Sequence, residues 1–384
     1  ERATKPPTIS TIRALEILDS RGNPTVRVTV GLTDGTSGTA SVPSGASRGR
    51  HEVSELRDGD RGRFGGLGVR RAIKHVEGVI LKALRRRRAD QQERIDTVLS
   101  DLDGTPNLSR LGANAVLGTS LAAARAAALS AGLPLYAYLR RLAGRDPSDP
   151  YLLPVPHVNV INGGRHADSG LDLQEFLVLP LGAPSFLEAV RAGSEIFHAL
   201  GSLLRAQGLR TAVGDEGGYA PQLGRNDEAF HLMKRAVELS GRSLGGDVVF
   251  GVDVAASELY SAKERAYVLR APGVTLTTER VVALYAEWAG AWPLRTIEDP
   301  LEQEDWEGWA KATKKLGALG VQVVGDDLFA TSSTRLRRGM ERRCATALIV
   351  KPNQIGTLSG TLAVVRLAQQ HGYGVIVSHR SGET

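Results

Sequence analysis

Apolar and polar positions fall into two textures along the chain. Thr8 to Leu18 runs into the turn cluster Asp19-Ser20-Arg21-Gly22-Asn23-Pro24, after which Val26, Val28 and Val30 alternate with polar neighbours. Period-two alternation bounded by turn residues predicts half-buried strands. Asp34-Gly35 marks a hairpin-like turn before a further short strand ending near Val42, and the glycine-rich loop Ser44-Gly45-Ala46-Ser47-Arg48-Gly49 follows. From Gly66 to Arg140 the texture turns helical, over Val69–Leu84, Asp90–Leu99 and an alanine-rich run from Leu111 to Leu129. A strand meander followed by helices predicts an α+β domain.

Beyond Pro150 short apolar runs alternate with helical segments: Val155–Ile161, Phe176–Leu179, Val248–Val252, Leu294–Ile297, Val321–Val324, Ala347–Val350 and Val375–Val377. Strands alternating with helices predict βαβ units and a mostly parallel sheet, and a (β/α) barrel of roughly 250 residues would nearly fill the remaining length. Gly144-Arg145-Asp146-Pro147-Ser148-Asp149-Pro150 reads as the linker. The expected division is therefore an N-terminal α+β domain over residues 1–143 and an α/β barrel over 144–384.

Composition narrows the class without choosing a function. The 384 residues are 42% hydrophobic and 23% charged, ordinary globular usage that excludes collagen, low-complexity and disulfide-scaffold chains. A net charge of +6 is too mild for the sign to identify a partner. Arg85-Arg86-Arg87-Arg88 has no interleaved aromatic residue and reads as a solvated helix end, so no nucleic-acid partner is expected. Cys344 is the single cysteine, which excludes an internal disulfide and fits a reducing compartment. Glu1 to Ser10 holds no apolar leader, and no run approaches the ~18 apolar residues of a membrane span. The expectation is a cytoplasmic protein with no membrane partner.

The chemistry stands where the apolar runs end. Val248–Val252 is followed by Asp253, Leu294–Ile297 by Glu298 and Asp299, Val321–Gly325 by Asp326 and Asp327, Ala347–Val350 by Lys351, and Val375–Ser378 by His379 and Arg380. In a parallel barrel these strand ends meet on the face that carries the active site. Any one acid could be a helix N-cap. Three in succession repel one another unless a cation sits among them, and an all-oxygen set suits Mg²⁺ or Mn²⁺ and not zinc. Lys351 reads either as a general base, its neutral amine favoured by desolvation and a metal, or as a lysine salt-bridged to the acids. Gly214-Asp215-Glu216-Gly217-Gly218 adds two acids in a flexible loop, and Asn162-Gly163-Gly164-Arg165-His166 with Gln174-Glu175 adds an imidazole and another acid.

With these residues in place, the chain closely resembles the enolase family. The matching stretches are Asp19–Val26, Val42–Ser47, Leu111–Ala115, Leu173–Phe176, Gly214–Gly218, Ile297–Pro300, Lys351–Leu358 and Ser378–Thr384, in family order along the whole chain. The resemblance implies an N-terminal cap and a barrel whose second strand runs antiparallel. It also implies a Mg²⁺-dependent carbon–oxygen lyase that interconverts 2-phosphoglycerate and phosphoenolpyruvate plus water through an enediolate. It implies that Asp253, Glu298 and Asp326 bind the first Mg²⁺ and that Ser47 helps with a second, arriving with substrate. Lys351 would be the base at C2, and Glu216 helped by Glu175 would assist departure of the C3 hydroxide. His166, Gln174, His379, Arg380 and Ser381 would line the site for a small anionic phosphorylated substrate. A homodimer is implied as well.

Two kinds of departure stand out. The family continues through an eighth strand bearing a second active-site lysine and then C-terminal helices, whereas this chain stops at Thr384, so the expected barrel is C-terminally incomplete. Arg48 and Arg165 replace small or polar residues in loops that close over substrate. Guanidinium forks bind carboxylate and phosphate bidentately, so both are candidate substrate contacts. They raise an alternative that resembles carboxyphosphonoenolpyruvate synthase, an enolase-like phosphonoformyl transferase of phosphonate antibiotic biosynthesis.

Overall fold

A computed structural model describes residues 6–45, 49–146, 148–165, 167–270 and 273–380. The chain divides into two compact units, Glu1–Pro150 with Ala330–Ser333 and Ile349–Thr384, and Tyr151–Phe329 with Thr334–Leu348.

In the first unit, strands β1 (Ile9–Leu18), β2 (Pro24–Leu32) and β3 (Ser37–Ser41) form an antiparallel meander in that order. Asp19 Oδ1 closes the first turn by accepting the amides of Arg21 (2.8 Å) and Asn23 (2.9 Å). Asp34 Oδ1 does the same for Thr36 in the second, at 2.9 Å. Val26, Val28 and Val30 are all buried, as their alternation predicts. Helix Ala113–Ser130 covers them, and its alanines at 122, 123, 124, 126, 127 and 128 are buried too. Small residues are required because the backbones nearly touch: a Cβ on Gly38 would sit 2.1 Å from the Ala126 nitrogen.

The predicted helix over 69–84 is present, interrupted by a π turn at Val76–Ile80, and buries Ala72, Val76, Ile80 and Leu84 at four-residue spacing. The arginine run does present exposed side chains, but only the helix's final turn precedes it. Arg86 N donates to Ile9 O (2.8 Å) and Ile9 N to Arg87 O (2.9 Å), so its main chain lies along β1. Helices Pro352–Ile355 and Leu358–Gln370 and strand β13 (Gly374–Val377) belong to this unit as well. They are tied into it by Leu358 N on Ser120 Oγ (3.0 Å) and Ser359 N on Asp96 Oδ2 (2.8 Å).

The second unit contains β4 (Val158–Asn162), β5 (Glu175–Leu179), β6 (Val249–Asp253), a ribbon of β7 (Tyr260–Ser261), β8 (Ala266–Leu269) and β9 (Val274–Leu276), then β10 (Leu294–Glu298) and β11 (Gln322–Gly325). Strand β12 (Ala347–Val350) follows, and among the described residues the barrel sheet has seven strands in the order β13-β12-β11-β10-β6-β5-β4. Each apolar run after Pro150 becomes one of them. Strand β5 is antiparallel to both neighbours, while β6, β10, β11 and β12 are mutually parallel, which is the enolase-type arrangement the resemblance implies. Phe230 packs edge-on against Phe176 at 5.4 Å and stacks on Phe250 at 6.0 Å, fixing helix Asn226–Leu239 on β5 and β6. Among the described residues no single helix is long and apolar enough to cross a membrane.

Candidate active site

Strand register sets the first row of acids. Glu175 of β5 is the partner of Asp253 in β6, and Asp253 is the partner of Glu298 in β10. Glu298 is paired in turn with Val324 of β11, two residues before Asp326, so the expected metal ligands stand on consecutive strand ends. Asp253 is buried and accepts from Gln174 Nε2 (3.0 Å) and from Ala255 N (2.9 Å). Gln174, expected as a substrate contact, thus has its amide nitrogen on an expected metal ligand.

A second group lies at the other end of the row. Glu175 is buried and its Oε1 accepts from Asn159 Nδ2 at 2.9 Å, and the same nitrogen donates to the main-chain oxygen of Glu216 at 3.3 Å. Carboxylate oxygens of Glu175 and Glu216 come within 4.8 Å of each other. The loop carrying Glu216 is held by Gly214 N on Gly218 O (2.8 Å) and Gly218 N on Asn162 Oδ1 (2.8 Å). A side chain at Gly218 would collide with Asn159 and with the Ile161 backbone, so glycine is required there. Asn162 opens the sequence cluster that runs to His166, whereas nothing in the sequence marks Asn159, since a strand asparagine carries no special signal.

A third group gathers Asp299, Asp326 and Asp327, each offering a carboxylate oxygen within 4.8 Å of the others. Asp299 is 4% exposed. Burial, then the negative charges of Asp327, Asp326 and Asp253, push its carboxyl well above the usual carboxylate range. Such a site is electrically incomplete without positive charge, and all its donors are oxygens, so the residues fit a hard divalent cation.

In the first unit, Lys351 directly follows β12, is 9% exposed, and donates its amide to Thr331 Oγ1 at 3.0 Å. Thr331 is fully buried and its hydroxyl donates to Gln354 Oε1 at 2.6 Å. The main chain at Lys351 is therefore held on both sides of its strand end. Arg380 Nε donates to Asn353 Oδ1 (3.1 Å) and its Nη2 to Glu52 Oε2 (3.2 Å). Glu52, another residue the sequence gave no reason to single out, also accepts from Gly49 N (3.0 Å) and Gln354 Nε2 (3.3 Å). His379 is exposed. Arg165 donates to both oxygens of Glu258 at 2.9 Å on an exposed surface. Ser47, Arg48, His166 and Ser381 lie outside the described residues.

Comparison with known proteins identifies the family. Residues 9–139 match the family described as "Enolase, N-terminal domain" and residues 150–384 the one described as "Enolase, C-terminal TIM barrel domain". A curated relative, the enolase of Mycobacteroides abscessus, is 53% identical over 383 residues, covering 98% of this chain and 85% of the relative. A strand-end row of acids on a barrel with an antiparallel second strand, joined to this identity along nearly the whole chain, places it in the enolase family.

Proposed function

We propose that the protein is a Mg²⁺-dependent phosphopyruvate hydratase, a carbon–oxygen lyase that interconverts 2-phosphoglycerate and phosphoenolpyruvate plus water. The observation that carries this reading is the 53% identity to an enolase over 98% of the chain. The acid row and the buried lysine supply its chemistry. Asp253, Glu298 and Asp326 would hold the first Mg²⁺, and Ser47 would help with the second. When bound, Mg²⁺ supplies positive charge to the substrate carboxylate, where negative charge builds as the C2 proton leaves.

The chain's own groups move the protons. Lys351 takes the C2 proton onto a neutral amine, leaving the C–H electron pair in an enediolate. That pair then forms the C2–C3 double bond as the C3–O bond breaks. Hydroxide is a poor leaving group, so Glu216, with Glu175 beside it, gives a proton to the departing oxygen and water is released. Gln174, His166, His379, Arg380 and Ser381 would bind and orient the substrate. Of these, Arg380 is already oriented by Asn353 and Glu52.

The phosphonoformyl transferase reading is not favoured. It rests on Arg48 and Arg165, and the second of these is engaged with Glu258. A cytoplasmic homodimer with no nucleic-acid or membrane partner belongs to the same proposal; the single cysteine, Cys344, supports the reducing compartment. Phosphorus NMR of 2-phosphoglycerate with the protein and Mg²⁺ is the direct test. Phosphoenolpyruvate should accumulate at an enzymatic rate. Absence of conversion while Mg²⁺ still binds would overturn the assignment.

A further inference from the structure

Asp299 does more than add charge to the acid cluster. Its Oδ1 accepts the amide of Asp326 at 2.9 Å and its Oδ2 the amide of Asp327 at 2.7 Å. Its own amide donates to Val324 O at 3.0 Å, and its carbonyl accepts from Ala256 N at 3.0 Å. The preceding carbonyl, of Glu298, accepts from Val254 N at 3.0 Å. One residue therefore links the segments at the ends of β6, β10 and β11, where Asp253, Glu298 and Asp326 stand.

The backbone of Asp299 is left-handed, with φ of 40°, an uncommon conformation for a residue with a side chain. Strained backbone of this kind persists where its surroundings over-determine it, and here four hydrogen bonds to main-chain groups do so. The strain turns the chain sharply after Glu298, so that residue 298 ends its strand while residue 299 reaches across to the next loop. A water-exposed acid serving only as a helix cap would need neither the burial nor the strain.

We propose that Asp299 is a positioning residue for the Mg²⁺ ligands: its carboxylate fixes the main chain of Asp326 and its main chain fixes the spacing of Glu298 from the β6 segment. The inference rests on the reading of Asp253, Glu298 and Asp326 as ligands. Residues that orient metal ligands carry a large share of affinity, commonly 10–100-fold. In Asp299→Asn one carboxylate oxygen becomes an amide nitrogen, which cannot accept from a backbone N–H, so one of the two clamps is lost with almost no change in volume.

The experiment is titration calorimetry of Mg²⁺ into the full chain, wild type against Asp299→Asn, with circular dichroism and melting of both metal-free proteins. A Kd raised about tenfold or more, with the metal-free fold and melting temperature retained, is the expected result. An unchanged Kd overturns the inference. Wild-type protein that binds no Mg²⁺ would instead overturn the ligand reading beneath it. Should the variant fail to fold, amide hydrogen exchange in the metal-free wild type decides. Asp326 and Asp327 amides held by Asp299 exchange only with extensive opening, whereas exchange at the rate of an open loop overturns the clamp.

Discussion

Lys351 and Asp299 show how differently two polar groups can be retained at a strand end. Lys351 is fixed through its main chain, by Thr331 and the short helix it caps. Asp299 is fixed through both main chain and carboxylate. With Lys351 as the base at C2, Lys351→Ala should abolish exchange of the C2 proton of 2-phosphoglycerate with deuterated solvent, a loss of about a thousandfold. Mg²⁺ binding should survive. Exchange persisting in that variant would remove Lys351 from the base role. In the sequence both residues were visible as polar groups closing apolar runs. The function of Asp299 was not, since its partners lie 27 and 28 residues ahead and the contact is with their amides, which every residue carries.

At the scale of elements, legibility followed run length. Barrel strands of four or five residues, mostly apolar, were recognisable, and the ends of β6, β10 and β11 located the acids. The ribbon β7–β9 was not, because its strands are two to four residues long and Lys263, Glu264 and Arg265 sit between the first two. Its stability comes from pairing and from Tyr267 of β8, which is fully buried, rather than from a local pattern. The π turn at Val76–Ile80 was equally hidden, since the four-residue spacing of Ala72, Val76, Ile80 and Leu84 reads as plain α-helix. Helix Ala113–Ser130 was legible as a helix, but the closeness of its seat on β3 was not. Gly38→Ala tests that closeness: a methyl driven toward the Ala126 backbone should cost about 2–3 kcal/mol, read as a fall in the denaturant midpoint at unchanged slope. A neutral substitution would mean that strand and helix can part without penalty.

At the scale of the molecule, the class of fold, the antiparallel strand and the metal class were all within reach of the sequence, the antiparallel strand only through family resemblance. Parallel and antiparallel strands share one side-chain period, so no pattern along β5 announces its direction. The assembly state is the remaining whole-molecule expectation. Sedimentation equilibrium should return about twice the chain mass of 41.0 kDa if the homodimer forms, and a single-chain mass would remove it.

The composition of the first unit carries a consequence for how the molecule comes into being. Its strand meander and alanine-rich helix are translated early, yet Ser120, Asp96 and Val53 each complete their hydrogen bonding with a group more than two hundred residues later, the amides of Leu358 and Ser359 and the carbonyl of Gln354. Until that late segment emerges from the ribosome, a buried aspartate and a core flank wait unsealed. Closing them means closing a very long loop, an entropic expense that slows the step. The nascent chain thus spends most of its synthesis as a half-finished module, the interval in which a chaperone, or misassembly with a neighbouring chain, has its opportunity.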